Sequence, residues 1–480
     1  MKLTTAIRYM GATPSRDFDP SLPELEVTRF ETDSRAVGKG EVFFAFSQPE
    51  FENNGFNGEF HDATSFVRSA FENGAVACVV RRERVAEHGL EEFNDRLIFA
   101  EDVIAAFQSL AGRVAGDWGG PVVAITGSAG KTTAKELTAH VLESCGKRVL
   151  KNEKNLNNGL GHPMTVLRLA EDDGYDVAVL EMGMSTPKRE IARLCEITPP
   201  DVAVELNVLP VHVEHLGSIE NVAKAKAELV EGLKPGGTAI LNNDDPRVSK
   251  MNELCDGPVL TFGIEKRSDI TAEGIEMKQF GETHFVLRTP DGDAEVVFQL
   301  SGKHNILNAL AASAVGYDFG MTADEISKSL ETVRPPRQRG EILRFREGFT
   351  VINDSYNSNP DALLKMVSML VEGSGNSSRR IVVAGEMLEL GDQEVEIHRE
   401  TGQKIAELGV DVLVGVRGNS RAMLEGAAEV AERKYCETSE EAGDFLAGII
   451  RKGDLVLVKG SRGVRTEKAI EVLTQKSEIV

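Results

Sequence analysis

Thr126-Gly127-Ser128-Ala129-Gly130-Lys131-Thr132-Thr133 follows a short β-branched run, Val122–Thr126, and opens a helical stretch that continues to about Ser144. Strand, glycine-rich turn and helix in that order are the context a phosphate-binding loop requires. Glycine removes the Cβ that would keep backbone N–H groups from converging on phosphate oxygens, and the helix N-terminus adds partial positive charge. In such a loop Lys131 reaches the β- and γ-phosphates, and a threonine hydroxyl binds Mg²⁺. The common spacing, G-x-x-x-x-G-K-[ST], would put glycine at position 125. Ile125 stands there, so the loop is the variant G-x-x-G-K-T-T. The plainer reading is a glycine-rich turn that only caps a helix. The strand, the lysine and both threonines together argue against it.

Further apolar runs follow at 177–180, 202–206 and 238–241, separated by helix-like segments such as 219–232. Strands alternating with helices predict an α/β fold: a mostly parallel sheet with helices on both faces. Upstream, residues 41–46 (EVFFAF) and 75–80 (AVACVV) read as buried strands, and the aromatic- and Asn-rich stretch 51–61 between them as a loop. Downstream, Val333-Arg334-Pro335-Pro336 interrupts the alternation, because consecutive prolines cannot continue a helix. Strand-like runs resume at 350–352, 381–384, 412–416 and 455–458, with a flexible surface loop expected at 373–378. The expected domains are 1–104, 105–334 and 335–480.

Two local features near the loop are ambiguous from pattern alone. Glu181 ends an apolar run and so sits where ligands bind in parallel sheets; it is either a Mg²⁺ ligand or a solvated strand-end acid. In the amphipathic 219–232 segment, Lys224 and Glu228 form an i, i+4 pair, while the pattern makes Lys226 an ordinary solvated lysine. His212, Glu214 and His215 lack a zinc spacing and read as surface-loop residues.

Composition bounds the function. The 480 residues carry 54 Lys+Arg against 76 Asp+Glu, a formal net charge of −22. Such a chain is a poor binder of nucleic-acid phosphates or anionic membrane, although a local pocket can still take a small anion. Its five cysteines are scattered and form no C-x-x-C pair, which argues against disulfides and zinc and for a reducing compartment. The opening residues lack a signal-peptide core, and no run of about 18 apolar residues exists to span a bilayer. A cytoplasmic protein is expected.

The motifs in order resemble the Mur ligase family, the ATP-dependent amide ligases of peptidoglycan precursor synthesis. The matching stretches are Asp33-Ser34-Arg35, Gly40-Glu41-Val42-Phe43-Phe44-Ala45, the phosphate loop, Asn155-Leu156-Asn157-Asn158-Gly159, Glu181-Met182-Gly183, His212, Ala225-Lys226-Ala227-Glu228, Asn242-Asn243-Asp244-Asp245-Pro246 and Gly302-Lys303-His304-Asn305. Asn353-Asp354-Ser355-Tyr356-Asn357-Ser358-Asn359-Pro360, Gly385-Glu386-Met387-Leu388-Glu389-Leu390-Gly391 and Lys459-Gly460-Ser461-Arg462-Gly463 complete the set. N-S-N-P and G-E-M-L-E-L-G favour the member adding D-alanyl-D-alanine to UDP-N-acetylmuramoyl-tripeptide over its three sisters.

The resemblance implies three domains: one for the UDP end of the substrate, a central phosphate-loop sheet for ATP, and a Rossmann-like C-terminal domain for the dipeptide. It implies a monomer with no nucleic-acid or membrane partner. It places Gly127, Ser128, Ala129, Gly130, Lys131, Thr132, Thr133, Asn305, Arg339, Asp354, Asn357 and Asn359 at the nucleotide, and Ser34, Arg35, Asn157 and Asn158 along the UDP-sugar substrate. Lys131, Lys226, Glu181 and His212 would be catalytic. Thr132, Glu181, His212 and Lys226 would form the Mg²⁺ set, Lys226 as a carbamate. Ala129 departs from the usual Asn; Leu206 and Leu209 depart from T-N-I-G-P-A-H; the 48–62 segment is enlarged. The rival expectations are a sister ligase adding another amino acid and a nucleotide-binding switch without turnover.

Overall fold

The structure, a computed structural model, describes all residues except 55, 57–59, 173, 185–187, 211–215, 280, 335–336, 374–378, 389 and 480. The proposed boundary at Pro335-Pro336 and the site residue His212 therefore lie outside the described residues, as does most of the expected 373–378 loop. The chain divides into two compact units. One is Met1–Thr271 with Arg288–Gly292 and Leu307–Ile326; the other is Ala272–Leu287 with Asp293–Ile306 and Ser327–Val480.

In the first unit, β1 (Thr13–Pro14), β2 (Phe30–Glu31), β3 (Val42–Phe44), β4 (Ala77–Val80) and β5 (Leu97–Phe99) form a sheet of order β1-β5-β4-β3-β2. The 51–61 stretch is not all loop. Gln48–Asn53 is a helix started by a capping box, in which the Ser47 N–H and hydroxyl both donate to Glu50 Oε2 (2.6 and 2.9 Å). The other Glu50 oxygen accepts from Val103 N at 2.5 Å, tying this helix to the start of the next long one, Val103–Trp118.

That long helix carries one continuous core. Phe107 is fully buried, with its ring 4.8 Å from Phe44 and 5.7 Å from Phe46, and the same apolar cluster reaches Val122, Ala124 and Leu180. The second sheet holds β6 (Val122–Thr126), β7 (Val149–Lys151), β8 (Val177–Glu181), β9 (Val202–Glu205), β10 (Thr238–Asn242) and β11 (Val259–Gly263). They run parallel in the order β7-β8-β6-β9-β10-β11. Burial on both faces explains their near-continuous apolar sequences. β6 and β8 end in register, Ile125 opposite Glu181, while Thr126 faces Glu205 across β9. The loops after these three strand ends therefore cluster. Three strands absent from the sequence reading follow, β12 (Ile270–Gln279), β13 (Glu282–Thr289) and β14 (Gly292–Phe298).

The second unit carries a sheet of β15 (Glu341–Arg344), β16 (Thr350–Asp354), β17 (Arg380–Gly385), β18 (Val412–Val416), β19 (Glu432–Cys436) and β20 (Leu455–Lys459), in the order β15-β16-β20-β17-β18-β19. Only β15 is antiparallel. Alternate residues feed two cores: Val351, Val383, Val414 and Val458 face one side, and Ile352, Val382, Leu413 and Leu457 the other. The last strand, β20, lies between β16 and β17, so Asp354, Gly385 and Lys459 end side by side at a strand-order reversal, where open α/β sheets bind ligands.

Candidate active site

The phosphate loop leaves β6 and enters the helix Lys131–Ser144, whose N-cap is Gly130. Gly130 has φ +85°, and a Cβ there would stand 2.6 Å from Asn308 Oδ1, so both backbone and space demand glycine. The Lys131 ammonium donates to Gly127 O at 2.8 Å, folded back over its own loop.

The loop is clamped from β9. Leu206 N donates to Thr126 O, and Ser128 N donates to Asn207 O. The Asn207 side chain pairs with Ala129 in both directions, accepting from its N–H at 2.9 Å and donating to its carbonyl at 3.0 Å. Leu209 N donates to Ser128 Oγ at 2.9 Å. The segment whose path Leu206 and Leu209 left open is thus a strap that fixes the loop. Asn207, which stands between the two departing leucines, was given no role in the sequence reading. Its signal was its place two residues beyond a strand end.

Glu181 is not a solvated acid. It is 3% exposed; one carboxylate oxygen accepts from Thr132 Oγ1 and the other from Asn157 Nδ2, both at 2.8 Å. Asn152 pairs with the Glu181 backbone, accepting from its N–H at 3.0 Å and donating to its carbonyl at 2.8 Å. Lys131, Thr132, Glu181 and Asn157 therefore meet at the ends of β6 and β8. Asn157 was expected along the UDP-sugar; here it holds the strand-end carboxylate. Asn158 Oδ1 accepts from the N–H groups of Leu160 and Gly161, capping the helix Gly161–Val166.

Lys226 also corrects its pattern reading. It lies on the helix Ile219–Glu231 but is 3% exposed, on the buried face. Burial and the nearby Lys131 ammonium pull its pKa well below that of an ordinary lysine, against the opposing pull of Glu205 and Glu181. Glu228 accepts from Ala192 N at 3.0 Å in place of the expected pairing with Lys224.

The sequence reading missed Glu205. It closes β9 just as Glu181 closes β8, but it was read as part of an apolar run. It is fully buried and neither carboxylate oxygen has a hydrogen-bond partner. Desolvation pushes its pKa well above the carboxylate range, and Asp245 adds to the rise; Lys226 and Lys131 offset part of it.

Thr132 Oγ1 and Glu181 are adjacent hard oxygen donors and fit Mg²⁺, which takes one or two protein ligands and fills its shell with phosphate and water. Among the described residues, no group of three or more His, Cys, Asp or Glu forms a fuller metal cage.

The other expected residues fall in three places. Ser34 is buried, and exposed Arg35 forms a bidentate pair with Asp33 at 2.6 and 2.9 Å. In the second unit, Lys459 Nζ bridges Asp354 Oδ2 at 2.5 Å and Asn357 O at 2.8 Å. Asn359 Oδ1 accepts from Ala362 N at 2.8 Å, at the start of the helix Pro360–Gly373. The Arg339 guanidinium lies 4.0 Å from the Tyr356 ring centroid. Asn305 Nδ2 donates to Ser301 O at 2.8 Å.

Known proteins place this architecture. Residues 125–316 match the Mur ligase middle domain, and residues 338–462 the Mur ligase glutamate ligase domain. The UDP-N-acetylmuramoyl-tripeptide–D-alanyl-D-alanine ligase of Bacillus subtilis is 32% identical over 95% of this chain and 95% of its own. That of Escherichia coli is 34% identical over 94% and 95%. A crystal structure of MurF from Acinetobacter baumannii superposes with a TM-score of 0.87 at 28% identity, covering 99% of this chain and 98% of that one. MurF ligase from Thermotoga maritima in complex with ADP gives 0.78 at 28% identity, covering 94% and 98%. The carbamate expected at Lys226 finds no support in these relatives. With its phosphate loop, strand-end carboxylate and full-length relatives, the chain belongs to the Mur ligase family.

Proposed function

We propose that the chain is the ATP-dependent ligase that joins D-alanyl-D-alanine to UDP-N-acetylmuramoyl-tripeptide in the cytoplasm, acting as a monomer. The observation that carries this reading is the convergence of Lys131, Thr132, Glu181 and Asn157 at the ends of β6 and β8. The full-length relatives of that name and the ADP-bound relative support it. Residues 1–104 are assigned to the UDP end, 105–334 to ATP and 335–480 to the dipeptide. Asn305, Arg339, Asp354, Asn357 and Asn359 are the proposed further nucleotide contacts, and Ser34, Arg35, Asn157 and Asn158 the substrate contacts.

In the reaction, the tripeptide's terminal carboxylate attacks the γ-phosphorus of ATP, and the bond to the ADP oxygen breaks. The amine of D-alanyl-D-alanine then attacks the acyl carbon of the resulting acyl phosphate. The tetrahedral adduct expels phosphate, the amine gives up a proton, and an amide remains. Positioning and charge stabilisation supply most of such catalysis. Lys131 swings from Gly127 O to the transferring phosphoryl oxygens. The first amides of the helix Lys131–Ser144 hold the β-phosphate. Thr132 and Glu181 would hold Mg²⁺, which supplies neutralisation of the phosphate charge.

The reading is tested by phosphate release from ATP, omitting each substrate in turn. Release should require both the tripeptide and D-alanyl-D-alanine. Release with another amine and not with the dipeptide would move the chain to a sister activity, and ATP binding without turnover would contradict the ligase.

A further inference from the structure

Arg417, the residue after β18, has a backbone conformation that arginine rarely takes. Its φ is +66°, in the left-handed region that favours glycine. Two bonds hold it there: Arg417 N donates to Cys436 O at 3.0 Å, and its own carbonyl accepts from Ser420 N at 3.2 Å. Strain of this kind persists where the surroundings over-determine it, and it gathers at ligand clamps. The side chain is a second, independent feature. The guanidinium is exposed and crosses to the loop after β20, where Nη1 donates to Gly463 O at 3.1 Å. Gly463 in turn lies against the loop after β17: a Cβ on it would stand 3.0 Å from Leu388 Cδ1, and Leu388 N donates to Ser461 Oγ at 3.0 Å. The guanidinium therefore lies where the loops leaving β17, β18 and β20 meet, at the end of an open α/β sheet that binds ligands.

Its charge is uncommitted. Lys459 pairs with Asp354, Arg462 with Glu467 and Arg421 with Glu437, whereas among the described residues no carboxylate pairs with Arg417. Glu386, which follows β17, accepts from Asn419 N at 2.8 Å instead. In a chain of net charge −22, a strand-end cation left without an acid is available to an anionic group.

We infer that Arg417 binds the C-terminal carboxylate of the incoming dipeptide. The inference deepens the proposed function and rests on its assignment of residues 335–480 to that substrate. The dipeptide's amine must be neutral to attack an acyl carbon, so the carboxylate is its one remaining charge. A planar guanidinium pairs with a carboxylate through two parallel N–H bonds. The spacing also fits. β18 lies two strands from β20, whose end carries Lys459 and its partner Asp354, and two strand spacings are about 10 Å. A fully extended dipeptide spans about 7 Å. With its carboxylate on Arg417, its amine can point back toward the ends of β16 and β20, where the proposed nucleotide residues Asp354 and Asn357 lie. Binding exchanges one bond, from Nη1 to Gly463 O, for a charge-assisted pair.

The test compares D-alanyl-D-alanine with its C-terminal amide, which keeps the amine and loses the charge, in ATP-dependent phosphate release. Wild type should use the amide with a KM about 10-fold or more above that for the acid, the scale of one hydrogen-bonded charge. Arg417→Gly removes the guanidinium and suits the left-handed backbone, so the fold and its Tm should be kept. The variant should raise KM for the acid to the level of the amide, with KM for ATP and for the tripeptide unchanged. Arg465→Gly, at the other left-handed arginine of this unit, should keep the wild-type preference. Equal KM for acid and amide in wild type would overturn the inference, as would a preference that survives Arg417→Gly or is lost in Arg465→Gly instead. In each of these cases the dipeptide still supports turnover and the ligase reading stands. Wild type that turns over neither amine would overturn both.

Discussion

Lys131 and His162 show how differently two residues of the first unit use their charge. Lys131 is half-buried and its ammonium donates to a loop carbonyl, Gly127 O. Lys131→Ala should therefore leave Tm within a degree or two of wild type while lowering kcat/KM by at least about 10²-fold, the scale of one electrostatic donor. A near-normal rate would sink the phosphate-loop assignment. His162 is fully buried, its Nε2 2.6 Å from Thr198 Oγ1 and its Nδ1 without a partner. Burial holds its pKa down to about 3. The unfolded chain, with an ordinary value near 6.5, takes up the proton first as pH falls. Stability is therefore full above about 6.5 and is lost progressively toward 3, with this residue costing about 2 kcal/mol between pH 7 and 5. His162→Gln should flatten that part of the acid dependence of Tm; an unchanged slope would place the acid sensitivity elsewhere.

At the scale of elements, the strands were the most legible part of the sequence. Val122–Thr126 and Val412–Val416 coincide with their apolar runs, because a parallel strand buried on both faces writes an unbroken β-branched stretch. The β12–β14 segment was not read, since its half-buried alternation (Glu282–Thr289 alternates at every residue) sits among many charges. The helix Gln48–Asn53 was hidden by its aromatic content, although Ser47 and Glu50 carried the capping-box spacing. Lys226 and Glu205 were misread for different reasons: pattern assigned Lys226 to solvent as a charged residue on a helix, whereas Glu205 was absorbed into an apolar run, and the burial of both depends on neighbours distant in sequence. The helix Val103–Trp118 carries the sharpest prediction at this scale. Phe107→Ala removes a ring enclosed by Phe44 and Phe46 and should cost about 3–5 kcal/mol. Because one core serves both sheets of this unit, hydrogen-exchange protection should fall in β3 and β6 together. Loss confined to β3 would mean the two sheets are stabilised separately.

Across the whole molecule, a chain of net charge −22 handles an anionic nucleotide and an anionic peptide by confining positive potential to one place. Lys131 and the helix N-terminus behind Gly130 do this where β6, β8 and β9 end. The ordered motifs made that location readable before any geometry. The strap of 206–209 and the burial of Glu181, Glu205 and Lys226 were not, because each depends on neighbours distant in sequence. On the proposed mechanism, ATP energy passes to the tripeptide through an acyl phosphate formed at this loop. It is tested with tripeptide labelled with ¹⁸O in the terminal carboxylate, by mass analysis of the phosphate released in the presence of D-alanyl-D-alanine. The account predicts that the phosphate carries one ¹⁸O atom taken from the carboxylate, in step with amide formation; unlabelled phosphate accompanying the amide product would contradict it.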